Sequence, residues 1–206
     1  MQCSVRLHER WFREMMRYGK EPMMRTILYV AVAVAGLALM ARAADKETTM
    51  KLTSTAFEAN QPIPSKYTGE GPDVSPALKW EGAPAGTKSF ALICDDPDAL
   101  SVAGRIWVHW VLYGIPANVT SLPENVAKTE TVAALGGAKQ GLTDFGKVGY
   151  GGPMPPRGHG IHHYHFKLYA LDGKVNLKPG ATKSALETAM KGHIVGQAEL
   201  MGKFKR

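Results

Sequence analysis

The chain has 206 residues, 45% of them apolar and 21% charged, which leaves room for one domain of roughly 150 residues plus an extension. Its formal net charge of +7 is concentrated at the N-terminus: residues 1–44 hold seven Lys/Arg against three Asp/Glu, so residues 45–206 carry eighteen against fifteen, a net +3. A surplus that small excludes a nucleic-acid-binding reading for the domain.

Residues 1–22 read as a mis-assigned or dispensable extension, because Met23 or Met24 would open a conventional short basic start before the apolar run. An alternative is an amphipathic basic helix over 5–18, with Leu7, Trp11, Met15 and Tyr18 on one face. Residues 23–44 read as a signal peptide: Arg25 precedes fifteen apolar residues, Ile27 to Ala41, and Ala41-Arg42-Ala43 supplies a small-x-small cleavage site near Ala43/Ala44. A retained anchor is the competing reading, but the run falls short of the ~20 residues a spanning helix needs. The expected location is therefore periplasmic or secreted, with no stable membrane span after processing. The domain at 45–206 would keep one cysteine, Cys94, and so no internal disulfide.

Within the domain, short β-like runs alternate with Pro and Gly: Met50 to Phe57, a turn-rich Gln61 to Pro76, Ser89 to Asp95, and Ile106 to Ile115. This spacing predicts a mostly antiparallel β domain. The runs at 89–94 and 106–115 are apolar on both faces, as central strands covered on each side would be. Residues 136–160 hold nine glycines and three prolines and predict a long shaped loop, a class that tends to be functional.

A strand over 162–171 follows, with His162, Tyr164, Phe166, Leu168 and Ala170 on a core-like face and His163, His165, Lys167 and Tyr169 on the other. Residues 183–191 predict a helix that buries Leu186, Ala189 and Met190 and stops at Gly192. Residues 198–204 add a turn or strand.

Polar side chains interrupt these buried runs at Asp95-Asp96-Pro97-Asp98, at Trp107-Val108-His109-Trp110, and between Tyr150 and Tyr164. An unpaired buried polar group costs about 1–3 kcal/mol, so these groups are expected to pair with one another or to face a shared pocket.

The segments Asp96-Pro97-Asp98-Ala99, Trp107 with His109, and Tyr150 to Gly158 leading to His162-His163-Tyr164 resemble, in order, the signature regions of the phosphatidylethanolamine-binding (Raf kinase inhibitor-like) family. Ser75 to Trp80, Leu168 to Asp172 and Met190 to His193 are similar to its bacterial branch. The resemblance implies an antiparallel β-sandwich with a C-terminal helix and peripheral short helices. It also implies a ligand pocket lined by Asp96, His109, His162 and Tyr164, with Trp107, Pro155 and Pro156 as wall and rim, and a cis peptide before a pocket proline.

Two imidazoles and a phenol suit a phosphate-type or other anionic group, such as a phosphoethanolamine headgroup, with Asp96 orienting and charging a histidine. Leu100 and His163 depart from the family's usual proline and arginine, and the second departure puts the arginine's ion pair in doubt. Family members are also described as kinase or peptidase inhibitors, so a protein partner such as an envelope peptidase is a second option, and homodimers are common in the bacterial branch.

Bland readings accompany these. His159 reads as a surface residue, His163 and His165 as solvated strand positions, and Trp110 as core on the face opposite Trp107. Asp95 and Asp98 read as turn caps. Strand alternation separates the histidines, so no metal is expected. No Gly-x-Ser-x-Gly or phosphate-binding Gly/Lys loop is present, and Cys94 lies in an apolar strand, so neither a cofactor nor catalysis is expected; a hydrolase or isomerase using His109 with Asp96 is the remotest option.

Overall fold

The computed structural model describes residues 49–206; the expectations placed on residues 1–44 lie outside them. Among the described residues the strands are β1 (Lys51–Ser54), β2 (Leu78–Glu81), β3 (Ser89–Asp96), β4 (Trp107–Pro116), β5 (Ser121–Leu122), β6 (Thr131–Val132), β7 (Ala138–Gln140), β8 (His162–Leu171) and β9 (Ile194–Phe204). Two α-helices join them, α1 (Leu100–Ala103) and α2 (Lys183–Met190). No helix among these residues is long and apolar enough to cross a membrane.

The strands form a three-stranded sheet, β1-β2-β5, and a six-stranded sheet, β6-β7-β4-β3-β8-β9, antiparallel at every pairing. Between the sheets lies the main core, where Leu52, Leu78 and Trp80 of the small sheet meet Phe90, Leu92, Trp110, Leu112, Phe166 and Leu168 of the large one. The opposite face of the large sheet is covered by α2: Ala91, Ile93, Val111, Tyr113 and Leu171 pack against Leu186 and Met190. β3 and the middle of β4 are therefore buried on both sides, as their unbroken apolar runs predict.

Most element expectations hold. β8 has the predicted limits, and its alternate residues from His162 to Ala170 are buried. α2 starts at a Thr182 cap, whose hydroxyl accepts from the Ala185 N–H at 3.2 Å, and ends before Gly192 at φ 82°. The differences are local. The first strand stops at Ser54 because the Ser54 hydroxyl takes the Ala56 N–H at 3.0 Å, turning the chain out of the sheet. The last strand begins at Ile194, four residues earlier than the apolar pattern suggests, because its first part is an exposed edge paired only to β8. The glycine-rich segment contains β7 and a Leu142–Val148 bridge, since backbone pairing to Leu112 and Tyr113 needs no apolar side chains.

One irregularity shapes the site. Cys94 faces Trp110 across the β3–β4 pair, but the next residue, Asp95, faces Val108, so His109 is an extra residue in β4. Such a bulge rotates the chain and re-aims a side chain. Val108 keeps to the helix side, whereas His109, Trp107 and Trp110 all turn to the side of the small sheet. Strict alternation, which places Trp107 and Trp110 on opposite faces, is corrected by this one inserted residue.

Candidate functional site

At one end of the intersheet space, a cavity of about 250 Å³ is lined by Asp96, Trp107, His109, Pro155, Pro156, His162 and Tyr164, the seven residues expected from the sequence. Ala99, Val102, Ala103, Phe145 and Met154 complete its wall. Strand phase brings the polar four together: Asp96 is in step with Leu92 and Cys94 on β3, and His162 and Tyr164 are in step with Phe166 on β8. The bulge supplies His109.

Asp96 is 3% exposed and spends its oxygens separately. Oδ1 accepts from the Ala99 N–H at 3.2 Å and caps the short helical turn at Pro97–Ala99, while Oδ2 lies 2.7 Å from His162 Nδ1. A carboxylate only accepts, so His162 donates from Nδ1 and its tautomer is set by Asp96. This matches the orienting role the sequence suggests. The Asp96–Pro97 bond and the bonds before Pro153, Pro155 and Pro156 are trans, because no cis peptide occurs among the described residues; the expectation of one is corrected.

His109 is 2% exposed, and its Nδ1 donates to the Gly151 carbonyl at 2.6 Å while the Gly151 N–H returns a bond to the His109 carbonyl at 2.9 Å. Burial pushes the His109 imidazolium below its ordinary value, and the Gly151 bond and the Asp96 charge only partly oppose it. With its Nδ1 proton committed to Gly151, the neutral ring carries an unprotonated Nε2, which makes no hydrogen bond among the described residues.

Tyr164 meets the His109 ring edge-on, with centroids 5.0 Å apart. Burial, then the nearby Asp96 charge, pushes its phenol far above the ordinary range, so it stays a neutral donor. Asp96 is close enough to act on that ionisation, yet the hydroxyl has no partner at hydrogen-bonding geometry and is among the buried polar atoms left unsatisfied. The other is the Trp80 indole N–H, in the intersheet core.

Phe145 and His159 are the residues sequence reasoning missed. Phe145 stacks edge-on against Trp107 and His109, at 5.5 and 5.3 Å, and its ring covers Gly151, where a Cβ would meet it at 2.5 Å. Phe145 shares the glycine-rich segment with only one other Phe, Tyr or Trp, Tyr150, and a large apolar ring in so polar a loop is the signal that could have found it. His159 is exposed, as a surface residue would be, but its Nδ1 lies 2.8 Å from His162 Nε2, a contact the sequence did not suggest.

Two further readings are corrected. Asp95 is fully buried on the α2 side and accepts from Lys167 Nζ at 2.8 Å and Lys183 Nζ at 2.5 Å; it caps no turn. Asp98 takes both the His163 backbone N–H at 2.7 Å and its Nδ1 at 2.8 Å. Burial works against that carboxylate, but the His163 bonds win and hold it below its ordinary value. The partner expected to be lost with the arginine is thus replaced by His163. His165 likewise pairs with Glu199, at 2.6 Å. No group of three metal-ligating side chains converges among the described residues.

A larger cavity of about 550 Å³ adjoins the first and shares Phe145 and Met154 with it. Its polar groups are already paired: the buried Tyr150 hydroxyl donates to the Tyr67 carbonyl at 2.8 Å, and the half-buried Asp73 accepts from Gly152 N–H and Lys128 Nζ, each at 2.6 Å. Unmet hydrogen-bonding capacity, not volume, makes the smaller cavity the candidate site.

The described residues thus form a two-sheet antiparallel sandwich with a small, partly polar cavity at one end. Residues 53–205 match the family model for phosphatidylethanolamine-binding protein, and the chain belongs to that family. It is 44% identical over 189 residues to a UPF0098 protein of Pyrococcus horikoshii, covering 91% of this chain and 93% of that one. Among solved structures it is similar to a phosphatidylethanolamine-binding protein homologue of Chlamydia trachomatis (TM-score 0.68, 40% identity, 77% of this chain and 99% of that one). It is also similar to E. coli YbcL, described as a member of the mammalian family (TM-score 0.71, 34% identity, 76% and 98%). These likenesses carry the bacterial-type branch and the fold.

Proposed function

We propose that the cavity binds a small ligand through an anionic, phosphate-type group, and that the protein works by binding rather than by catalysis. The observation that carries this reading is the buried Tyr164 hydroxyl, a neutral donor that lies beside Asp96 but makes no hydrogen bond of normal geometry among the described residues, on the wall of a cavity that also holds His109 and His162. An oxyanion satisfies such a donor, which otherwise costs about 1–3 kcal/mol. Binding without turnover is supported by the dyad: Asp96 orients His162, but the ring addresses another histidine, not a Ser or Cys. Cys94 is buried, and burial pushes its thiol well up, away from nucleophilic use.

Because His109 rests neutral, an anion that engages its Nε2 brings a proton or takes one from solvent. Calorimetry with phosphate and phosphoethanolamine, repeated in buffers of different ionisation enthalpy, is expected to give binding with proton uptake. The His109→Ala, His162→Ala double variant is expected to lose it at least tenfold; identical heats from both proteins would remove the cavity from the reading.

A second reading, a protein partner in the cell envelope such as a peptidase, is favoured by the apolar side chains left exposed around the cavity: Leu100, Val102, Phe145, Met154 and Ile161. Both readings place the domain outside the cytoplasm on the strength of residues 23–44. Fractionation with N-terminal mass spectrometry is expected to find a chain beginning near Ala44 in the periplasm or medium. A partner enriched on the wild type and lost on Leu100→Asp, Ile161→Asp would favour the second reading, and no enrichment would discard it.

A further inference from the structure

The His162 ring has no free nitrogen. Nδ1 is held by Asp96 at 2.7 Å and Nε2 by His159 Nδ1 at 2.8 Å. A ligand oxygen that is to bond His162 must therefore take the place of the His159 ring. We propose that His159 is a built-in occupant of the ligand position on His162, and that a phosphate-type anion enters the cavity by displacing it and swinging the turn at 157–160 away. This rests on the anion-binding reading given above.

The contact is one that an anion can break. An imidazole–imidazole bond needs one ring to give an N–H and the other a lone pair. With the Nδ1 proton of His162 committed to Asp96, the pair is joined by a single shared proton. An oxyanion on Nε2 requires His162 to carry a proton there as well as on Nδ1, so His159 departs as a neutral ring with its own proton on Nε2, taken from solvent where the pair lacks it. The oxyanion offers full negative charge where His159 offers a neutral nitrogen, so the charge-assisted bond is the stronger.

The turn is also built to move. His159 is exposed, its neighbours Gly158 and Gly160 have φ of 75° and 100°, and the backbone bonds that hold the segment are long, 3.3 Å from the Gly158 N–H to the Arg206 carbonyl and 3.2 Å from the His159 N–H to the Pro156 carbonyl. Arg157 is tethered only loosely, 3.8 Å from Glu70, and no buried apolar side chain lies within 157–160. Since Pro155 and Pro156 line the cavity immediately before this turn, displacement of His159 would open the rim at the point where a ligand enters.

The test is phosphate titration of the wild type and His159→Ala by calorimetry, with imidazole nitrogen NMR on the wild type. Removing the internal competitor is expected to tighten phosphate binding about two- to tenfold, the equivalent of one neutral hydrogen bond. In the wild type, nitrogen–nitrogen coupling across the His159–His162 bond is expected without phosphate and absent at saturation. Equal or weaker binding by the variant, or coupling that survives saturation, overturns the latch while leaving the anion reading standing. No heat from either protein overturns both.

Discussion

Replacing Lys167 and Lys183 together by methionine is expected to destabilise the domain by about 3 kcal/mol or more, lowering the midpoint of thermal unfolding by roughly 6 °C or more. Asp95 is fully buried on β3, and these two ammonium groups are its partners. Taking one side of a buried ion pair away leaves a charge in a medium that solvates it poorly, a loss of about 3–5 kcal/mol. The lysines keep 31% and 19% of their side chains exposed, so water can partly follow into the space they leave; that places the expectation at the lower end.

Adding Asp95→Val to the double variant is expected to restore at least half of the loss, because an apolar cluster of similar volume is often as stable as the ion cluster it replaces. Urea unfolding of the three proteins decides it: a double variant within about 1 kcal/mol of wild type would mean that the two ammonium contacts contribute little to stability. The arrangement bears on the cavity as well. Asp95 and Asp96 are adjacent on one strand and face opposite ways, so the lysines pair with the carboxylate on the α2 side and leave Asp96 to hold His162.

The second large effect is expected at Gln140. This side chain is fully buried, and it accepts from Trp110 Nε1–H at 2.7 Å while donating to the Ala127 and Thr129 carbonyls at 2.7 and 2.8 Å. Gln140→Leu strands the buried indole N–H outright and leaves two carbonyls that belong to exposed residues and can turn toward water. One full penalty and two partial ones give about 2–4 kcal/mol. The companion variant Trp110→Phe removes the donor, so the double variant should lose clearly less than the sum of the singles; strict additivity would mean that the indole bond contributes nothing.

The consequence reaches the site. Trp110 meets Tyr150 edge-on at 5.6 Å, and Tyr150 precedes Gly151, whose carbonyl holds His109. Gln140→Leu is therefore expected to weaken ligand binding as well as stability, whereas the lysine variants, on the far face of the sheet, should leave binding largely intact.

What could be read in advance depended on whether a feature is carried by local pattern. Period-two alternation from His162 to Ala170, the two-sided apolar runs of β3 and β4, and the α2 stripe of Leu186 and Met190 are each consequences of one segment burying one face, so they were legible as sequence. The seven cavity residues were legible only through motif resemblance, since Asp96, His109 and His162 come from strands separated by many residues.

Length, a mostly antiparallel β class and the buried strands followed from the sequence by itself, because strand periodicity acts on residues near one another in the chain. Tertiary structure alone decided the bulge that turns His109 inward, the pairing of Asp95 with Lys167 and Lys183, the substitution of His163 for the expected arginine partner at Asp98, and the contact of His159 with His162. Each of these depends on which strand lies beside which and in what register, and a register shift of one residue, invisible to any local pattern, reverses the face on which a side chain appears.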